Sequence, residues 1–213
     1  MTLVLAHRGA CWDAPENTLG AFELAIHQGA DYVEFDVRAR NGKLVVCHDP
    51  APPPGVATLD EILSALKGRV GLAVEIKEPA TADAVLDALE RHEIQTDSLL
   101  VLSFRILALE TVRRRRPELR CVLHLGRRPD PAAATRFWGV GFRNGSARPR
   151  VLAQAQSLGL ATFVFTVNEP ARMRELAALR VDGIFSDRPG LLRETLAALA
   201  DQAPARSRQE TSH

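Results

Sequence analysis

The stretch Tyr32-Val33-Glu34-Phe35-Asp36-Val37, followed by an Asn41-Gly42 turn and by Val45-Val46-Cys47-His48-Asp49, decides how the chain is read. Apolar and acidic residues alternate through 32–37, which is the pattern of an extended strand. Alternate side chains of a strand share a face, so Glu34 and Asp36 point the same way. Two neighbouring carboxylates among valines and aromatics are costly unless positive charge lies between them, and a divalent cation is the usual answer. The Asn41-Gly42 pair favours a tight two-residue hairpin, which sends 44–46 back antiparallel to 31–37.

Outward from this hairpin the chain alternates regularly. Strands are expected at Leu3–Ala6, 31–37, 72–76, 99–103, 120–125, 138–142, 162–166 and 183–185, besides the return strand at 44–46. Asn17 reads as the N-cap of a helix carrying Leu19, Phe22 and Ile26 on one face, which Gly29 ends. Thr58-Leu59-Asp60-Glu61 reads as a capping box that opens a helix through Leu66. Further helices are expected over 82–91, 104–115, 131–136, 148–158, 170–179 and 190–199. Setting the return strand aside leaves eight strand-then-helix units, the pattern of an α/β (β/α)8 TIM barrel with a β-hairpin extension on strand 2. An open doubly wound sheet is the competing architecture, but no Gly-rich dinucleotide loop accompanies it.

Composition narrows the function classes. The chain has 213 residues, 46% hydrophobic and 25% charged, which suits one well-cored domain over residues 1–200. Residues 201–213 are polar and aperiodic, as expected of a disordered tail. A net charge of +1 calls for neither nucleic acid nor an anionic membrane surface. No apolar run approaches the ~20 residues that span a bilayer, and Met1–His7 lacks a basic region and cleavage site. Cys11, Cys47 and Cys121 are an odd, scattered set without zinc-type spacing, so no disulfide scaffold is expected and a reducing cytoplasm is. Arg113–Arg116 is a basic run, but it closes a helix, where cations favour the dipole. His27, His92 and His124 are expected at the surface or at helix ends, and Cys11 lacks a sequence neighbour that would activate it.

The strand ends collect the chemistry, because ligands of such barrels sit at the C-terminal mouth. In order these ends carry His7-Arg8, Glu34 with Asp36, His48 at the close of the hairpin, and Glu75 with Lys77. Glu34 with Asp36 alone would also fit a solvated edge pair, and Glu75 with Lys77 a local salt bridge; their convergence favours function. Three carboxylates suit a hard, oxygen-preferring cation, Mg²⁺ or Ca²⁺. Arg8 and Lys77 are pure donors suited to a phosphate. Two histidines can serve as acid and base across a displacement, so the set points to metal-assisted phosphoryl transfer.

With these motifs in place the chain resembles the glycerophosphodiester phosphodiesterase family. The resemblance rests on His7-Arg8-Gly9, Pro15-Glu16-Asn17-Thr18, Glu34-Phe35-Asp36-Val37, His48-Asp49, Glu75-Ile76-Lys77, Leu102-Ser103-Phe104, Phe165-Thr166-Val167-Asn168 and Asp182–Pro189, in that order, from about residue 3 to residue 192. It implies hydrolysis of small-molecule glycerophosphodiesters to sn-glycerol 3-phosphate and an alcohol. It assigns Glu34, Asp36 and Glu75 to a divalent metal cofactor, His7 and His48 to acid and base, and Arg8 and Lys77 to the phosphate. Asn17 becomes a supporting group near the rim.

The chain departs from the family at three places. Only Pro50–Ala57 stands where the family inserts a covering segment, so a more open site is expected. Phe165 replaces a tryptophan, keeping an apolar wall without the indole donor. Ser186 replaces a threonine. A lysophospholipase-D-like activity and a non-catalytic binding barrel are the competing functions; the second predicts a broken site set, and this set is whole.

Overall fold

The computed structural model describes residues 1–51 and 54–201. Among these residues nine strands form one sheet: β1 (Leu3–Ala6), β2 (Tyr32–Arg40), β3 (Lys43–Val46), β4 (Gly71–Ile76), β5 (Leu99–Ser103), β6 (Arg120–Leu125), β7 (Gly139–Arg143), β8 (Ala161–Phe165) and β9 (Gly183–Ser186). Their order is β1-β9-β8-β7-β6-β5-β4-β2-β3, and β1 also pairs with β2. That last pairing closes eight parallel strands into a barrel. β3 lies outside the closed ring, antiparallel to β2, with Arg40 opposite Lys43. Asn41 and Gly42 both have positive φ, 48° and 75°, as a two-residue hairpin turn with right-handed strand twist requires.

The strands are buried on both sides, and alternation sorts their side chains into two cores. Leu5, Tyr32, Ala73, Leu100, Leu102, Val122, Phe163 and Phe185 fill the barrel interior. The intervening residues, such as Val33, Phe35, Val37, Leu72, Val74 and Ile76, pack outward against the helices. Phe22 and Phe35 meet at a centroid distance of 5.8 Å and tie the first helix to β2.

Among the described residues, seven α-helices surround the barrel: α1 (Leu19–His27), α2 (Leu59–Leu66), α3 (Ala82–Arg91), α4 (Ile106–Arg115), α5 (Pro149–Ser157), α6 (Pro170–Ala178) and α7 (Pro189–Asp201). The capping box opening α2 is present in both directions between Thr58 and Glu61. Two expectations change. The segment 131–136 is a 3-10 turn at Pro131–Ala134, because the short stretch between β6 and β7 leaves no room for a longer helix. Asn17 does not cap α1: Thr18 does, accepting from the Ala21 amide, while Asn17 takes a left-handed φ of 57° and turns inward. The polar tail expected at 201–213 lies, beyond Asp201, outside the described residues.

The arginine run is absorbed by neighbouring elements. Arg115 pairs with Asp83 and Asp87 of α3, Arg116 with Glu90 and Glu118, and Arg113 lies over the Phe137 ring. Among the described residues, no helix is long and apolar enough to cross a membrane.

Candidate active site

The C-terminal mouth holds a cavity of about 190 Å³ lined by His7, Arg8, Glu34, His48, Glu75, Lys77 and the aromatic wall of Phe104, His124, Phe165 and Phe185. Strand period and register place the carboxylates there. Glu34 and Asp36 face inward from β2, and β4 pairs with β2 so that Asp36 stands directly beside Glu75. One oxygen from each of Glu34, Asp36 and Glu75 lies within 4.8 Å of the others, and all three residues are buried.

Cationic and hydrogen-bonding partners surround this set. Lys77 Nζ bridges Glu75 Oε1 at 2.7 Å and Asp36 Oδ1 at 2.9 Å. Asn17 Nδ2 donates to Asp36 Oδ2 at 3.0 Å, and its Oδ1 accepts from the Asp36 backbone amide, so the two ends of the Asn17 side chain hold the carboxylate and the backbone of one residue. The Arg8 amide donates to Glu34 Oε2 at 2.8 Å, and the guanidinium donates to Glu16. Arg8 Nε lies 3.2 Å from Asp36 Oδ2 at an angle that makes no hydrogen bond, leaving a buried donor without an acceptor. Gly9 behind it has φ of 85°, and a Cβ there would stand 2.7 Å from the Ala21 backbone; only glycine lets α1 approach this closely.

The electrostatics single out Glu34. Burial, then the adjacent Asp36 and Glu75 carboxylates, push the Glu34 carboxyl well above its ordinary range. Burial also opposes the charge on Asp36, but His48, Lys77 and Arg8 together hold its carboxyl well below that range. Glu75 is likewise held low, burial being outweighed by His124 and Lys77. Three buried carboxylates therefore share one ammonium and one guanidinium. A divalent cation would supply the missing charge, and an all-oxygen donor set suits Mg²⁺ or Ca²⁺.

The two histidines stand on different supports. The hairpin returns Cys47 to β2, where its amide donates to Asp36 O, and this brings His48 Nδ1 to 3.3 Å from Asp36 Oδ2. His7 follows β1, and its Nδ1 lies 2.7 Å from Asp187 Oδ1 at the end of β9. Asn168 donates from Nδ2 to Asp187 Oδ2 at 2.6 Å and accepts from the Asp187 amide. Burial acts against the Asp187 charge, but hydrogen bonds from His7, Asn168 and Cys11 bring its carboxyl down to about 2. Asp187 is thus an anion that fixes the tautomer and orientation of His7. Cys11 donates its thiol to the same Oδ1 at 3.1 Å, and burial followed by Asp187 pushes that thiol up, so it carries no thiolate nucleophile.

His124 corrects an expectation. It is buried, faces the cavity from β6, and stacks on Phe165 at 4.4 Å between centroids. Its Nδ1 lies 3.6 Å from Glu75 Oε2, just beyond hydrogen-bond reach, and neither ring nitrogen has a hydrogen-bond partner. Space for the ring comes from Gly141 on β7, where a Cβ would stand 2.3 Å from His124 Cδ2. Phe165 lines the cavity, with Phe104 edge-on at 5.7 Å and the Arg143 guanidinium 6.0 Å above. His92 does end a helix, pairing with Asp60 at the close of α3.

Comparison with known proteins bears on the whole barrel. The model of the glycerophosphoryl diester phosphodiesterase family matches residues 7–62 and 52–191. The chain belongs to that family. Its members are phosphoric diester hydrolases, and the chain is a glycerophosphodiester phosphodiesterase at that level. It is 26% identical to a glycerophosphodiester phosphodiesterase of Bacillus altitudinis, covering 89% of this chain and 96% of that one. It is 27% identical to probable glycerophosphodiester phosphodiesterase 2 of Mycobacterium tuberculosis, over 92% and 91% of the two chains. The crystal structure of a glycerophosphodiester phosphodiesterase from Agrobacterium tumefaciens superposes with a TM-score of 0.77 at 29% identity, covering 91% of this phosphodiesterase and all of that chain. The fold is shared with an Oleispira antarctica phosphodiesterase solved in complex with the product sn-glycerol-3-phosphate, at a TM-score of 0.85, 24% identity and coverage of 92% and 97%.

Proposed function

We propose that the chain hydrolyses a glycerophosphodiester to sn-glycerol 3-phosphate and an alcohol, using a divalent cation held by Glu34, Asp36 and Glu75. The observation that carries this reading is the convergence of three buried carboxylates with His7 and His48 on one small cavity. A bound cation would offset charge developing on the phosphate oxygens. Arg8 has a buried Nε donor without an acceptor, which a phosphate oxygen would satisfy. Lys77 keeps Asp36 and Glu75 ionised and has one remaining N–H to present to the same anion. One histidine takes a proton from the nucleophile, a neighbouring glycerol hydroxyl or water, and the other gives one to the departing alcohol oxygen. Asp187 holds His7 with Nδ1–H committed, which leaves Nε2 for the reaction. The sn-glycerol-3-phosphate complex of the Oleispira relative supports the identity of the product. Unpaired Cys11, Cys47 and Cys121 fit a cytoplasmic enzyme.

A second reading concerns the glycerol side of the substrate. A groove of about 560 Å³, walled by Pro15, Leu19, Val46, Pro54, Val56 and Ala57, adjoins the cavity at His48. Its apolar lining favours a substrate whose glycerol carries an apolar acyl chain, as in a lysophospholipase-D-like reaction. The deciding assay measures glycerol 3-phosphate release from glycerophosphocholine and glycerophosphoethanolamine, with and without chelator, and choline and lysophosphatidate release from lysophosphatidylcholine beside them. Turnover that survives chelation would overturn the carboxylate mechanism. No turnover on any diester, despite bound cation, would favour a binding barrel.

A further inference from the structure

A second group of ligating side chains lies beside the first and has a different chemistry. His7 Nδ1, Cys11 Sγ and Asp187 Oδ1 belong to the two loops that follow β1 and β9, and their ligand atoms all lie within 4.8 Å of one another. His7 Nδ1 and Cys11 Sγ both approach the same oxygen, at 2.7 and 3.1 Å. Asp187 Oδ2 is held aside by Asn168, which leaves Oδ1 to the group. The His7 and Asp187 side chains are 20% and 22% exposed, so an ion has a path to them.

We propose that His7, Cys11 and Asp187 form an inhibitory site for a thiophilic divalent cation of the zinc class. A nitrogen, a sulfur and a carboxylate oxygen are a zinc-type donor set, with a water free to complete a tetrahedron. The three buried carboxylates nearby offer only oxygen and select Mg²⁺ or Ca²⁺ instead. The protons now shared within the group are what the cation replaces. Binding releases the Cys11 thiol proton to solvent and moves the His7 ring proton from Nδ1 to Nε2; no electron is transferred. His7 then presents an N–H at Nε2 with no lone pair to accept a proton. Giving that proton up would leave an imidazolate, so the residue is disabled as base and as acid alike. Inhibition follows without displacement of the cation on the carboxylates.

The test titrates Cd²⁺ and Zn²⁺ into the full chain and a Cys11→Ser variant, in buffer saturated with Mg²⁺ or Ca²⁺. The serine keeps a donor toward Asp187 and removes the thiolate, so the basal rate is expected to be unchanged. Wild type should develop the ultraviolet thiolate-to-Cd²⁺ charge-transfer band, saturating at one equivalent. It should lose glycerophosphodiester hydrolysis in step with Zn²⁺, and excess Mg²⁺ or Ca²⁺ should not restore it. In Cys11→Ser the band should be absent and the inhibiting Zn²⁺ concentration higher by at least about tenfold. A band that persists in Cys11→Ser would place the metal on Cys47 or Cys121 and overturn the proposal. Equal zinc sensitivity of the two proteins, or relief by Mg²⁺ or Ca²⁺, would place zinc on the carboxylates and overturn it too. The absorption measurement needs no turnover, so it tests this site even if the hydrolytic reading above fails.

Discussion

The two donor groups at the barrel mouth differ in what holds them. Glu34, Asp36 and Glu75 stand on β2 and β4, and the parallel ladder between those strands fixes their spacing. His7, Cys11 and Asp187 stand on the segments after β1 and β9, where hydrogen bonds among side chains set the geometry. The strand-borne group is buried, all-oxygen and short of positive charge; the loop-borne group is partly exposed and satisfied by its own protons. A rigid, under-neutralised site demands an ion, whereas a self-satisfied one only accepts one. On the proposed mechanism the same contrast separates the roles: charge compensation on the strands, proton handling on the loops and hairpin.

The contrast breaks most severely at Asp36, the residue both sides touch. Asp36→Asn should lower cation affinity and reduce turnover on the order of a thousandfold, read by calorimetric metal titration and steady-state kinetics. A variant with near-normal affinity would mean the strands do not hold the cation. His48→Ala probes the other side: turnover should fall by about a hundredfold or more while metal affinity stays close to normal. A rate within a few-fold of wild type would remove His48 from the chemistry.

Asp187→Asn tests the loop-borne group through pH. The folded carboxyl lies at about 2, below its ordinary value of 3.8, so its stabilising effect is complete above the higher value and is lost as pH falls through the lower one. The stability advantage of wild type over the variant should shrink by roughly 2 kcal/mol between about pH 5 and about pH 2, measured by denaturant unfolding. A pH-independent difference would mean Asp187 is not held as an anion. The smallest effect is expected at His124→Leu. Removing a ring that faces Glu75 should weaken cation affinity by about tenfold, with less change in rate at saturating cation. Unchanged affinity would make His124 a packing residue alone.

Much of this was legible because strand period is a strict rule. Once 32–37 is a strand, Glu34 and Asp36 must share a face, and Asn41-Gly42 must return the chain with His48 toward them. The barrel followed from counting units, and the family motifs from their order. The misreadings have physical causes. Asn17 and Thr18 are both good caps, but asparagine also tolerates positive φ, and here it is spent on Asp36. Pro131-Ala132-Ala133-Ala134 has a helical composition, but the link between β6 and β7 is too short to use it. His124 could not be placed without knowing which face of β6 turns inward. Asp187 lay in a quoted motif, yet its partner His7 is 180 residues away, and no local pattern joins them.

The vacancy at Gly141 has a consequence for how this barrel can change. The ring of His124 occupies space that any side chain on the neighbouring strand would claim. An alanine at 141 requires a smaller residue at 124, and a smaller residue at 124 alone leaves a hole beside Glu75. The two positions are therefore one locus spread over two strands, and variants of this enzyme should be built or compared by the pair.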